Sequence, residues 1–369
     1  LHGDDADFQI IVGGFMRKLN YALIGFGGIA VNRIAKEGFA VDRKRFEPLR
    51  SARLVGATDV MPVRKQAVEM MGLTWFDSVE ELCSDAAIDG VFIATNNRSH
   101  YPLARKAMEA GKHVIVEKPL TTTLEDAQDL VQLAERQNLS LAVDHMMQHN
   151  AYNIKAARII QRGILGEVQN IVLHMEFPYG YTVEEASTWR CSDPEEVGGP
   201  IGDVASHCLY MAEFLLNERI LCVQGVYTPA ILAIKVENGA FIKFKTEKNT
   251  PGAIRVSFCE QRGTLASTLL NLGYEVYGSR KTLRAHGTLF QLSGHPDEPI
   301  KQRLEIDDGR SVKQVPVGRV QNIYRTVIDN HARSIERGKR SSGEDALHNL
   351  ALVLNIHRSA KANGTTISL

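Results

Sequence analysis

The sequence predicts an α/β domain built on a doubly wound parallel sheet, followed by an α+β domain with a largely antiparallel sheet. Three observations carry this. Across residues 19–144, short apolar runs of strand length alternate with helical segments, the pattern of a parallel sheet covered on both faces. The first such run ends in the turn Gly25-Phe-Gly27-Gly28-Ile-Ala30. From Gly166 onward the pattern changes to strands of alternating polarity without intervening helices, beginning with Val168 to Phe177.

Tyr21 to Ile24 reads as a buried strand, and a helix follows the glycine turn to about Glu37. Gly25-x-Gly27-x-x-Ala30 is a dinucleotide fingerprint. Gly25 permits a tight turn, Gly27 lets backbone approach a pyrophosphate, and Ala30 allows close helix–strand packing. The helix N-terminus then offers free N–H groups to the phosphates. Arg53 to Asp59 is the next strand, with Asp59 at its carboxyl end, either to accept from an adenosine ribose or to cap the following helix. Asp59 follows Gly25 by 34 residues, more than the usual ~20, and Gly38 to Ser51 reads as an inserted loop that accounts for the excess.

Gly90 to Thr95 is another buried strand, with Asn96, Asn97 and His100 after it and a helix from Tyr101 to Ala110. His113 to Val116 follows, then Glu117-Lys118-Pro119, and Thr122 or Thr123 as the cap of a further helix. A charged pair at the mouth of a buried strand sits where open α/β sheets bind ligands. Leu139 to Val143 closes the sheet, a helix runs from Asn150 to Arg162, and two helices near Val320 to Glu336 and Glu344 to Ala362 end the chain.

Composition bounds the partners. The 369 residues suffice for two cored domains, and Lys plus Arg equals Asp plus Glu at 43 each, so no net basic field exists to hold nucleic acid or an anionic membrane. No apolar run is long enough to span a bilayer. Five scattered cysteines without Cys-x-x-Cys spacing suit a reduced, cytoplasmic setting and no thiolate metal site. His145 and His149 have metal-compatible spacing but no evident third ligand beyond Asp144, and no metal is expected. Residues 1–15 carry Asp4, Asp5 and Asp7 without Lys or Arg and read as an extension ahead of Met16. The expected division is 16–147 for the nucleotide domain and 148–369 for the second.

The second half holds Trp189-Arg190 and then Gly198-Gly-Pro-Ile-Gly-Asp203-Val-Ala-Ser-His207. Asp203 and His207 are four apart, so on an α-helix they share one face. A carboxylate beside an imidazole raises its basicity and suits it to take an alcohol proton. The bland alternative is a core histidine with Asp203 as helix cap; for Trp189 and Arg190 it is a core ring and a surface charge.

Together, Gly25 to Ala30, Ala94-Thr-Asn-Asn-Arg-Ser-His100, Glu117-Lys-Pro119 and Gly198 to His207 resemble the Gfo/Idh/MocA family, which includes glucose–fructose oxidoreductase and inositol dehydrogenases. The resemblance implies a Rossmann domain and an α+β domain whose open sheet forms an oligomer interface, as a homodimer or homotetramer. It implies NAD(P)-dependent hydride transfer to or from a sugar, cyclitol or related polyol. Lys118, Asp203 and His207 match its catalytic positions. Cofactor contacts are expected from Gly25, Phe26, Gly27, Gly28, Ile29, Asp59, Thr95, Asn96, Asn97, His100, Glu117 and Lys118. Substrate contacts are expected from Gln148, His149, Trp189 and Arg190. Asp59 favours NAD, while Arg64 leaves NADP open. Two departures stand out: Asn96 replaces a frequent Pro, and Met147-Gln148-His149 replaces an arginine-containing motif. The same family includes a non-catalytic repressor, and the fold also suits a reductase of a non-sugar carbonyl or imine.

Overall fold

The computed structural model describes residues 17–259, 272–289, 292–298 and 302–369; the 1–15 extension lies outside them. The first sheet contains β1 (Leu19–Ile24), β2 (Ala52–Thr58), β3 (Thr74–Trp75), β4 (Gly90–Ile93), β5 (His113–Val116) and β6 (Leu141–Val143), in the order β3-β2-β1-β4-β5-β6. Every pairing is parallel. This is the doubly wound Rossmann order, which reverses between β1 and β4 and so opens a crevice at the strands' carboxyl ends. Val91, Phe92 and Ile93 are fully buried, as expected of a strand covered on both faces. Gly25, Asp59, Thr95 and Lys118 follow the ends of four of these strands and share that carboxyl edge.

Helices form where the sequence places them: His100–Glu109 and Leu124–Arg136 against the first sheet, and Ala151–Gln161 after its last strand. Thr123 is the cap, its hydroxyl accepting from Asp126 N–H at 3.1 Å. The helix after the glycine turn is wider than an α-helix over Ala30–Gly38, with Phe39 N–H reaching back five residues to Ile34 at 2.7 Å. The inserted segment 39–51 contains no helix or strand.

The second domain is a mixed, mostly antiparallel sheet. Its strands are β7 (Val168–Glu176), β8 (Ile220–Tyr227), β9 (Gly239–Thr246), β10 (Pro251–Ser257), β11 (Leu272–Gly278), β12 (Thr282–His286), β13 (Arg303–Asp307), β14 (Val312–Gln314) and β15 (Ile367–Ser368). Among the described residues only β7 and β10 pair in parallel. One face packs on the helices Ala151–Gln161, Ser206–Leu216 and Glu344–Lys361. On the other face Val226 and Phe241 stand opposite each other, about half exposed.

The helix Ile323–Glu336 returns to the first sheet. It packs on the wide helix Ala30–Gly38, and its His331 Nδ1 lies 2.7 Å from the Tyr21 hydroxyl of β1. That return brings Tyr324 to the crevice from 181 residues beyond Val143, the end of the last Rossmann strand. Among the described residues no helix is long and apolar enough to cross a membrane.

Candidate active site

A cleft of about 820 Å³ runs along the carboxyl edge of the first sheet to the second domain. At one end lie Gly25, Gly27, Gly28 and Ile29. Gly25 has φ +92°, and a Cβ there would stand 2.6 Å from the Ala94 carbonyl oxygen, so only glycine fits. A Cβ on Gly28 would meet nothing within 4 Å: the turn opens on free space at a helix N-terminus. This arrangement fits a dinucleotide pyrophosphate.

Asp59 lines the cleft beside that turn. Its carboxylate accepts from Phe26 N–H at 2.6 Å, from Met61 N–H at 2.8 Å and from Arg64 at 2.6 Å. It therefore holds the glycine turn in place as well as facing the cofactor site. Phe26, expected among the cofactor contacts, is 2% exposed and belongs to the core; its contribution is the backbone N–H to Asp59.

Thr95, Asn96 and Asn97 also line the cleft, but two of them spend their side chains elsewhere. Asn96 Nδ2 donates to Glu196 Oε1 at 2.6 Å, Asn97 Nδ2 to the Glu196 carbonyl at 2.6 Å, and Arg98 N–H to Glu196 Oε2 at 2.9 Å. The end of β4 is thus latched to the second domain. His100 corrects its expected role: it is fully buried under the proline turn, with Nδ1 2.8 Å from the Pro119 carbonyl, and does not line the cleft. Burial lowers its pKa to about 4, so the ring stays neutral and donates there.

The domains meet chemically at Lys118. Its ammonium donates to Asp203 Oδ1 at 2.6 Å and to the Asp203 carbonyl at 2.8 Å, and Arg190 Nε lies 3.3 Å from the same Oδ1. Burial alone would raise the Asp203 carboxyl, but Lys118 and Arg190 hold it well below the usual range. Arg190 also lies over the Trp189 ring, 4.2 Å from its centroid. Both residues of that pair line the cleft, with Met146, Met175, Phe177 and Tyr324.

His207 lines the cleft too, but Asp203 is not its hydrogen-bond partner, which corrects the expected dyad. The Nδ1 atom of His207 lies 2.8 Å from the Tyr210 hydroxyl. The reason is local. Pro200–Ala205 is a wide turn in which Ser206 N–H bonds five residues back to Ile201, so residues four apart no longer share one face. Burial, reinforced by Lys118, pushes the His207 pKa well down, opposite to the raised basicity expected from a bonded carboxylate. Close packing fixes this turn: a Cβ on Gly202 would fall 1.8 Å from the Val197 carbonyl oxygen. Tyr210 accepts from Met147 N–H at 3.3 Å and can also accept from His207 Nδ1–H, which leaves His207 Nε2 as a lone pair.

Gln148 and His149 do not line the cleft; burial lowers His149 to a pKa of about 4, and Met146, from the same turn, faces the cleft in their place. His145 stacks on Tyr210, ring centroids 4.2 Å apart. Tyr210, three residues after His207 on a helix, was findable from the sequence. Glu196 and Tyr324 carry no local signal.

Residues 19–145 match the oxidoreductase family with an NAD-binding Rossmann fold, and residues 154–284 match the GFO/IDH/MocA C-terminal domain. The chain belongs to the Gfo/Idh/MocA oxidoreductases. It is an NAD(P)-dependent dehydrogenase or reductase. The 1,5-anhydro-D-fructose reductase of Ensifer adhaerens is 27% identical over 288 residues, 77% of this chain and 80% of that protein. The D-xylose 1-dehydrogenase [NADP(+)] of Haloarcula marismortui is 25% identical over 280 residues, 72% of this chain and 76% of that protein. In fold, the aldose-aldose oxidoreductase from Caulobacter crescentus, solved with glycerol, superposes with a TM-score of 0.81 at 21% identity, covering 96% of this chain and all of that one.

Proposed function

We propose that this enzyme moves a hydride between a carbinol carbon of a sugar, cyclitol or related polyol and a nicotinamide, with NAD the preferred cofactor. The observation that carries the reading is the contact of Lys118 with Asp203 across the cleft, with His207 from the same segment lining it. The glycine turn and Asp59 would hold the dinucleotide, and its nicotinamide would supply the hydride acceptor or donor. His207 Nε2 takes the hydroxyl proton in oxidation and returns it in reduction, with Tyr210 fixing the ring through Nδ1. Lys118 donates to the same substrate oxygen and offsets its developing negative charge, and Asp203 orients the ammonium. Met146, Met175, Phe177 and Trp189 form an apolar wall for the C–H face of a ring, while Arg190 offers donors to hydroxyls. The names of the two curated relatives support a sugar-like substrate. The NAD preference rests on the Asp59 carboxylate, which bonds a free ribose hydroxyl and repels a 2′-phosphate, and on its hold over Arg64.

The test is a panel of aldoses, inositols and anhydro sugars with each cofactor, followed by the absorbance of the reduced nicotinamide. Turnover of at least one polyol or its ketone, with tighter binding of NAD than NADP, is expected. A panel without turnover contradicts the substrate class, and tighter NADP binding contradicts the cofactor choice.

A further inference from the structure

Asp144 continues β6 by one residue, its N–H donating to the Val116 carbonyl at 2.8 Å, and Glu117 continues β5 by one residue, its N–H donating to Ile93 at 2.9 Å. Because Val116 pairs with Val143, the two acids follow side by side on neighbouring strands. Asp144 is 0% exposed, and neither of its carboxylate oxygens has a hydrogen-bond partner among the described residues. Glu117 lines the cleft next to Lys118 and, among the described residues, receives only the Lys118 backbone N–H, at 3.2 Å. A buried carboxylate without a donor is costly, and without a further cation beside them two neighbouring carboxyls do not both ionise there. A proton held between them supplies the missing donor. The surroundings are mixed. Lys118 and Arg190 favour charge on Glu117, and Asp203 opposes it. Tyr210 and Tyr324, on the helices Ser206–Leu216 and Ile323–Glu336, lie near enough for the charge of the pair to raise both phenols. The Lys118 ammonium is hydrogen-bonded to Asp203, so its charge is shared with that carboxylate.

We propose that Glu117 and Asp144 form a proton-sharing carboxyl pair that senses the charge of the cofactor in the cleft. The oxidised nicotinamide is a cation and the reduced one is neutral. With the cation bound, the pair releases its shared proton to solvent and becomes doubly anionic; with the neutral form, it keeps or regains that proton. Asp144 acts through Glu117 and is a positioning residue. Burial raises both carboxyls, most strongly Asp144. The inference rests on the proposed seat of the nicotinamide beside Lys118.

The test is calorimetric binding of NAD⁺ and of NADH to the whole protein near neutral pH, in buffers of different ionisation enthalpy, which counts the protons exchanged. Release with NAD⁺ should exceed that with NADH by on the order of half a proton per site or more. Asp144→Asn replaces the shared proton by an amide donor that favours an ionised Glu117 whichever cofactor form is bound, and should abolish most of that difference while still binding both forms. Equal proton counts for the two forms in the unmodified protein overturn the proposal, whether or not the variant folds. So does an undiminished difference in Asp144→Asn. Undiminished turnover of a confirmed substrate by Lys118→Ala would instead overturn the functional reading, because the nicotinamide would then react elsewhere.

Discussion

At the scale of single residues, the site depends on which group holds which. Tyr210 is the hydroxyl on His207 Nδ1, and its loss leaves that nitrogen without a partner in a buried place. Tyr210→Phe should lower kcat by ~10- to 100-fold, the worth of one strong hydrogen bond that fixes a catalytic ring. The cofactor dissociation constant should stay nearly constant. Unchanged kcat would show that the ring needs no such anchor. Asp144 makes a second prediction, on stability. Its folded pKa is raised, so the folded chain keeps a proton that the unfolded chain loses above ~pH 4. Its contribution to stability is present below that pH and is lost as pH rises toward the folded pKa. Asp144→Asn should therefore be more stable than the unmodified protein at pH ~8, with the advantage shrinking toward acid. Thermal unfolding across pH measures this, and a variant that is less stable at every pH contradicts it.

At the scale of elements, the carboxyl end of β4 is held by Glu196 rather than left free for the cofactor. Glu196→Ala removes the bonds to Asn96 Nδ2 and Arg98 N–H, two part-buried contacts on residues that water reaches. The expected cost is about 0.5–1.5 kcal/mol of stability. Cofactor binding should also weaken, because Thr95 and the residues after it line the cleft. Unfolding and cofactor titration on the same sample check both, and a variant unchanged in either refutes the latch. Of the wide turns at Ala30–Gly38 and Pro200–Ala205, the first falls where a helix is expected and the second explains where element-level reading failed. Four-residue spacing implies a shared face only on an α-helix. In the second turn that rule placed Asp203 against His207, whereas the wider turn sends Asp203 to Lys118.

At the scale of the whole molecule, what was legible was local. The glycine turn, the acid-base pair before Pro119 and the Gly198 to His207 stretch each carry their chemistry within a few residues, and the strand–helix alternation gave the sheet. What escaped was brought together through space. Tyr324 reaches the cleft on a helix that returns from the end of the chain, and Glu196 bonds residues nearly 100 positions earlier. Gln148 and His149 were placed by analogy with a motif this chain lacks, and their turn presents Met146 instead. The constellation most in need of proof is therefore also one that no local pattern contains: Lys118 from the first domain against Asp203 and His207 from the second. The most direct measurement is turnover of a confirmed substrate by Lys118→Ala, His207→Ala and the double variant, with unfolding recorded on the same samples. Each single change should lower kcat by ~10²-fold or more. The double variant should lose less than the product of the two, because residues acting on one oxygen are not additive. Near-normal turnover in either folded single variant would contradict the account.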